Sequence, residues 1–276
     1  MVSIYSGCLN EIALYIGNIA SPYAQFRVVG ALASVGTKSY LQEDTVKAAS
    51  DTSSTRIERP DPNLTLNGVI KVLAATSAIE RENILRDFKF PDPEGKAQSH
   101  YYQPARDLIR RYHESGNDLT VFQEGLRVLE ASYAGTTYHG QLKIENNIRV
   151  VRAYQGYFGK RKFEPLTHQP VSLTVEGVLL SLRPDMLAKE KSRLCVLRYA
   201  FGKDGASTGE MRYSPQMLHF YARQAKLDVA NSDCQLLVVA DGTSKRCTGV
   251  MSRFEARLRG EMRVVKALWP MIEPIG

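Results

Sequence analysis

The sequence predicts a mixed α/β protein (α+β or α/β), with a helical N-terminal region over residues 1–138 and a small mixed sheet in residues 139–276. Two observations carry this prediction: apolar residues recur at helical spacing throughout the first half, and strand-like segments begin only after residue 170. The composition is globular, with 43% hydrophobic and 24% charged residues among 276. That length suits one large domain or two modest ones.

The N-terminal region reads as a series of helices. A polar stretch over residues 49–63, with Pro60 and Pro62, predicts a loop, and Asn63 is suited to cap the helix that follows. No strand of usable length is expected here, and a boundary is expected near residues 134–141, where Gly135 and Gly140 bracket polar residues. The predicted helices are residues 7–47, 64–88, 105–113 and 119–133.

In the C-terminal region, segments with helical spacing of apolar residues and segments with strand-like spacing follow one another in the order α-β-β-β-α-β-α. Glu176 and Gly177 predict the turn of a β-hairpin, and Pro215 is suited to the first turn of a helix. The predicted helices are residues 144–158, 215–227 and 250–269, and the predicted strands are residues 171–175, 178–187, 194–201 and 235–240.

Charge and cysteine usage narrow the function classes. Lys and Arg number 36 against 29 Asp and Glu, a net charge of +7 that favours a polyanionic partner. Cys8, Cys195, Cys234 and Cys247 form no CxxC pair, so neither a zinc finger nor a disulfide scaffold is expected. The sequence lacks a signal-peptide pattern and an apolar run of membrane-spanning length, so a cytoplasmic protein is expected. Scattered histidines and the lack of phosphate-binding glycine motifs argue against the common hydrolase and nucleotide-binding patterns.

One motif within this order carries chemical information. The second predicted strand contains Ser181-Leu182-Arg183-Pro184-Asp185, followed by Met186-Leu187-Ala188. This motif and the element order over residues 141–240 resemble the RecB-like branch of the PD-(D/E)XK (restriction-endonuclease-like) nuclease superfamily. The resemblance implies an αβββαβ core in which Asp185 is a metal ligand, with Mg²⁺ activating water at one sheet edge.

The third predicted strand departs from the family pattern of an acid, any residue and a lysine. If Arg198 occupies the lysine position of this motif, Val196 occupies the position of the acid. If Ala200 occupies the lysine position, Arg198 occupies the position of the acid. The metal site is therefore expected to be degenerate. An active site would need a migrated acid, Glu145 from the preceding helix or Glu176 from the turn, of which Glu145 is the better candidate.

Other residues are candidates for roles around this site. Arg198 is expected either to face the former active-site edge or to pair with an acid such as Asp185. Gln216, with Phe220 and Tyr221, resembles the Gln-xxx-Tyr motif of RecB-like nucleases. Two basic clusters could follow a nucleic-acid backbone: Arg149, Arg152, Lys160, Arg161 and Lys162 in the first, and Arg253, Arg257, Arg259, Arg263 and Lys266 in the second.

The preferred hypothesis is a prokaryotic, cytoplasmic, nuclease-like protein that binds DNA or RNA, as a subunit of a nucleic-acid-processing or mobile-element (antiviral) defence complex. The first alternative is a working Mg²⁺-dependent nuclease built on Asp185 and Glu145, helped by Arg198 or Lys203. The second is a protein-interaction module whose helix over residues 250–269 docks on an acidic partner. Mg²⁺ is expected as a cofactor only if the site is active, and no membrane partner is expected.

Overall fold

A computed structural model describes residues 57–91, 100–134 and 136–274 of the chain. Within these ranges there are seven α-helices and two mixed β-sheets, so the predicted mixed α/β class is confirmed. All of them belong to one unit, Ser53–Gly276. The predicted helix over residues 7–47 lies outside the described ranges. None of the helices within the described ranges is long and apolar enough to cross a membrane.

The first described segment contains a short strand and two helices, where one helix over residues 64–88 was predicted. Strand β1 (Asn63–Thr65), three residues long, pairs in parallel with a later strand, so the described part of this half is not all-helical as predicted. Helix α1 (Leu66–Ala74) is capped by the Thr65 hydroxyl rather than by Asn63. Helix α2 (Ala78–Lys89) starts anew because the Ser77 hydroxyl accepts from the Glu80 amide.

Three further helices follow, close to their predicted positions. They are α3 (Gln103–Glu114), α4 (Leu119–Ala131) and α5 (Tyr138–Phe158). Helix α5 begins six residues before the predicted start at residue 144, because the Thr137 hydroxyl accepts from the Gly140 amide and caps it. The predicted domain boundary after residue 138 coincides with the start of α5, and the division into two domains stays a prediction.

A five-stranded sheet forms the centre of the structure. Its order is β2 (Glu164–Leu166), β5 (Met186–Glu190), β6 (Arg193–Ala200), β7 (Cys234–Val238) and β8 (Thr243–Arg246). Neighbours are antiparallel except β6 and β7, which run parallel and are joined by helix α6 (Thr208–Gln224). A three-stranded sheet pairs β1 with β4 (Val178–Leu182) and β4 with β3 (Val171–Val175).

The predicted strand over residues 178–187 is in fact two strands in different sheets. The hairpin around Glu176 and Gly177 is present, but β4 ends at Leu182 and β5 begins at Met186. Pro184 lies between them and has no amide hydrogen to continue a ladder. The chain therefore leaves one sheet and enters the other at residues 183–185. Asp185 thus lies where β5 begins, at the edge of the central sheet that is formed by the ends of its strands.

The later elements match their predictions to different degrees. Strand β6 and helix α7 (Met251–Leu268) lie within one residue of the predicted bounds at each end. Helix α6 starts seven residues before the predicted start at Pro215, because Ser207 and Glu210 form a capping box, and Pro215 lies inside the helix. Strand β7 ends at Val238, two residues before the predicted end.

Both faces of the five-stranded sheet are covered. Alternate residues of β6 face opposite sides: Cys195, Leu197 and Tyr199 pack with helices α3 to α5, whereas Val196 packs with α1, α6, α7 and the smaller sheet. A strand buried on both faces reads as a continuous apolar run. Arg198 interrupts that run and is only 8% exposed. A charge buried to this extent requires hydrogen-bond or ion-pair partners.

Candidate functional site: the edge around Asp185

Asp185 lies at the edge of the central sheet, immediately before β5. Its backbone amide donates to the Leu197 carbonyl at 3.0 Å, which ties the loop to β6. Its Oδ2 accepts from the Tyr199 amide at 2.8 Å, and its Oδ1 accepts from the Arg106 Nε at 2.8 Å. Both carboxylate oxygens are thus held by N–H donors of the protein.

Arg106 reaches Asp185 from helix α3. Ala105, Leu108, Ile109 and Tyr112 form the buried stripe of this helix, and Arg106 lies beside that stripe, so its stem is held against the sheet. Its guanidinium carbon lies 5.3 Å from the centre of the Phe201 ring, a cation–π contact. The side chains of Arg106 and Asp185 are 29% and 17% exposed, so the ion pair is partly shielded from water.

Arg198 stands across from Asp185 in the register of β5 and β6, since Met186 pairs with Leu197. Its guanidinium is bound elsewhere: it donates to the Ser214 hydroxyl at 3.0 Å and to the Asn67 side-chain oxygen. It also lies 3.5 Å from a Glu210 carboxylate oxygen. Arg198 therefore pairs with an acid, as expected, but the acid is Glu210. The predicted pairing of Arg198 with Asp185 was wrong, because Asp185 pairs with Arg106.

The residues at this edge do not fit the Mg²⁺ ion that the family resemblance implies. Magnesium is usually held by one or two carboxylates with free oxygens. Here one oxygen of Asp185 is engaged by a guanidinium and the other by a backbone amide. The cross-strand position carries Arg198 rather than a second acid.

Glu145 is placed elsewhere on the surface. It is exposed on α5 and accepts a hydrogen bond from the Tyr133 hydroxyl at 2.8 Å. With Glu130, Ile148, Arg149 and Arg152 it lines an open groove between α4 and α5. Among the described residues, no hydrogen bond or ion pair joins Glu145 to Asp185.

The first basic cluster is divided between two edges of the central sheet. Arg149 donates to the Phe201 carbonyl at 3.4 Å, at the end of β6 beside Asp185. Arg161 forms an ion pair of 2.6 Å with Glu190 at the end of β5. Because β5 and β6 are antiparallel, these two ends are opposite edges, about 15 Å apart along the strands. Exposed Lys160 and Lys162 flank Arg161, and Arg152 pairs with Glu130 at 2.9 Å.

The second cluster follows the exposed side of α7, and several members have partners. Arg259 and Arg263 bind Glu176 in the β3–β4 turn, which explains why Glu176 is not available as a migrated acid. Arg257 lies over the Tyr213 ring, and Lys266 Nζ is 3.5 Å from the Gly177 carbonyl. Arg253 is exposed and has no acidic partner among the described residues. Gln216 faces the loop before α7, with its amide nitrogen close to Gly249.

Lys203, the second helper named for an active site, is exposed in the loop after β6. The roles predicted for Lys203, Gln216 and the two basic clusters stay predictions. Arg106 is the residue at this edge that sequence reasoning missed. The available signal was weak: an arginine beside the apolar stripe of a predicted helix, 79 residues from its partner.

Comparison with known proteins gives no relative from which a function could be transferred: no family model, no curated protein and no solved structure matches the chain.

Proposed function

We propose that this protein binds nucleic acid through a nuclease-like core whose metal site has been replaced by an ion pair. The observation that carries the proposal is the engagement of both Asp185 oxygens, one by Arg106 and one by the Tyr199 amide. A guanidinium fixed at this place cancels the charge of the carboxylate and does not activate water. Such an edge attracts a phosphate backbone but lacks the means to hydrolyse it.

The order of elements supports this proposal. Helix α5 is followed by β2, β5, β6, the crossover helix α6 and β7, which is the α-β-β-β-α-β order of the PD-(D/E)XK core within one sheet. The β3–β4 hairpin is then an insertion in the other sheet. In this interpretation Pro184-Asp185 precedes the second core strand, and Arg198 lies in the third.

The proposed role is that of a subunit in a DNA- or RNA-processing or mobile-element defence complex. A net charge of +7 favours polyanion binding. Within the first basic cluster, Arg149 lies at the Asp185 edge, whereas Lys160 and Lys162 lie at the opposite edge of the sheet. The proposal therefore assigns Arg149 and Arg106 to the bound backbone.

Binding of fluorescent duplex and single-stranded oligonucleotides, measured by anisotropy at two salt concentrations, tests the proposal. Arg149→Gln should weaken binding and reduce the slope of log affinity against log salt by about one. Lys160→Gln removes the same charge at the other edge and Arg253→Gln removes it from α7, so both are matched controls expected to bind as wild type.

Two results would contradict the proposal. One is the absence of binding at low salt. The other is binding that is lost only in Arg253→Gln and is abolished by an unrelated acidic protein, which would instead favour the α7 docking surface for an acidic partner.

A further inference from the structure

A group of basic side chains lies next to Asp185, and we call it the basic edge: Arg106, Arg110, Arg183 and His168. Arg110 follows Arg106 by one turn of α3, so both lie on the same side of the helix. Arg183 is exposed in the β4–β5 loop, two residues before Asp185. The acids bound here are Asp185, held by Arg106, and Glu114, which pairs with Arg110 at 2.7 Å.

His168 is the unusual member of this group. Its Nε2 lies 3.1 Å from the Pro184 carbonyl, which requires Nε2 to carry the hydrogen and donate it. Its Nδ1 is then an acceptor, and it is buried without a hydrogen-bond partner among the described residues. A buried polar atom that lacks a partner is unusual and calls for an explanation.

The charged groups that act on His168 come from two elements. Burial lowers the pKa of His168, the hydrogen bond to the Pro184 carbonyl and the nearby Leu166 carbonyl oppose that effect, and the charges of Arg183 and Arg110 lower the pKa further. These effects favour the neutral imidazole. An anion bound among these side chains would compensate both arginines and would favour protonation of Nδ1.

We propose that the basic edge binds a single phosphodiester group, and that His168 takes up one proton at Nδ1 when the phosphodiester binds. This inference rests on the proposed function, since the phosphodiester belongs to the bound nucleic acid. The Glu114 carboxylate is exposed, so its ion pair with Arg110 is weak and leaves the guanidinium free to turn to the phosphate.

Proton uptake gives the site a pH dependence of known sign. A phosphodiester keeps its single negative charge through the neutral range, so a pH effect belongs to the protein. Affinity should rise as pH falls, by at most about tenfold per pH unit for one proton. The rise should begin near the pKa that His168 has in the complex and end near the lower pKa that it has in the free protein.

The experiment uses the full chain and a short fluorescent oligothymidylate, because thymine does not titrate near neutral pH. Affinity is measured by anisotropy from about pH 8 down to about pH 5.5. His168→Gln should bind as wild type at the upper end but lose the rise in affinity. Arg183→Gln should bind more weakly at every pH, with a salt slope reduced by about one.

Lys71→Gln is the matched control. Lys71 is exposed on α1, which packs on the opposite face of the central sheet, so the same loss of charge there should leave both the affinity and its pH dependence unchanged. If the His168→Gln variant does not fold, Arg110→Gln, on the helix side of the basic edge, is used in its place. It should weaken binding as Arg183→Gln does.

The outcomes separate the inference from the proposed function. Wild-type binding that does not change with pH, or an Arg183→Gln variant that binds like Lys71→Gln, overturns the basic edge as the phosphodiester site and leaves nucleic-acid binding in place. Absence of wild-type binding at every pH in low salt overturns both. A rise in affinity that His168→Gln abolishes supports the inference.

Discussion

At the scale of single residues, the contact between Arg106 and Asp185 is the one on which the functional argument depends. A hydrogen bond between charged groups is stronger than a neutral one, and partial burial reduces screening by water. The pair also joins α3 to the loop before β5, across 79 residues of sequence. Its contribution to stability can be measured directly.

We predict that a double-mutant cycle with Arg106→Met and Asp185→Asn gives a coupling free energy of about 1–2 kcal/mol in urea unfolding. The exposed pair Arg127–Glu124, whose side chains are 78% and 68% exposed, is the control and should couple by less than about 0.5 kcal/mol. Equal coupling in the two pairs would mean that Arg106 does not hold Asp185.

The buried Arg198 has a structural role in this account. Its guanidinium binds Asn67 and Ser214 and lies near Glu210, so it connects β6 to α1 and α6. We predict that Arg198→Met lowers the free energy of unfolding by about 2 kcal/mol, since it leaves the buried Ser214 hydroxyl and the partly exposed Glu210 carboxylate without the guanidinium. The exposed Arg212→Met should change it by less than about 0.5 kcal/mol. A stable Arg198→Met variant that loses nucleic-acid binding would contradict the assignment.

At the scale of elements, the packing of α3 against α5 includes a buried histidine. His113 forms hydrogen bonds with the Tyr154 hydroxyl at 2.7 Å and with Asn117 at 2.9 Å. Burial lowers the pKa of His113 to about 4. The folded protein therefore keeps this imidazole neutral at a pH where the unfolded chain binds a proton.

The sign of the effect follows from proton binding. Between about pH 6.5 and about pH 4 the unfolded state holds more protons, so stability falls as pH falls through that window, by up to about 3 kcal/mol. We predict that His113→Gln is less stable than wild type at neutral pH and that the gap narrows on acidification. His139→Gln, at an exposed position on α5, should keep the wild-type pH profile of urea unfolding. A constant gap for His113→Gln would contradict the prediction.

Elements with a strong pattern could be predicted from the sequence. Strand β6 and helix α7 were predicted to within one residue at each end, because β6 is buried on both faces and α7 has a regular apolar stripe. Strands β2 and β8 were missed. The first is three residues long and contains Pro165, and the second is Thr-Ser-Lys-Arg with every residue exposed, so neither shows the alternation that marks a strand.

The candidate site was predictable only in part, for a related reason. Pro184-Asp185 is a local signal, and Arg198 stands out within an apolar strand, so both were found. The partner of each depends on long-range packing, which a single sequence does not reveal: Asp185 meets Arg106 and Arg198 meets Asn67. The basic clusters were defined by proximity in sequence, yet Arg149 and Arg161 lie at opposite edges of the sheet.

At the scale of the whole molecule, the central sheet is covered on both faces by helices, and charged groups lie at both ends of its strands. The edge with Asp185 has an excess of arginines, and its carboxylate is neutralised by the protein itself. We therefore propose that nucleic acid bound at this edge is retained and not cleaved.

Incubation of the bound oligonucleotides with Mg²⁺ or Mn²⁺, followed by gel analysis of strand length, tests that claim most directly. We expect intact strands with wild type and with Asp185→Ala alike, in samples where anisotropy shows that the wild-type protein is bound. Cleavage by wild type that disappears in Asp185→Ala would contradict it and would establish a metal-dependent nuclease at this edge.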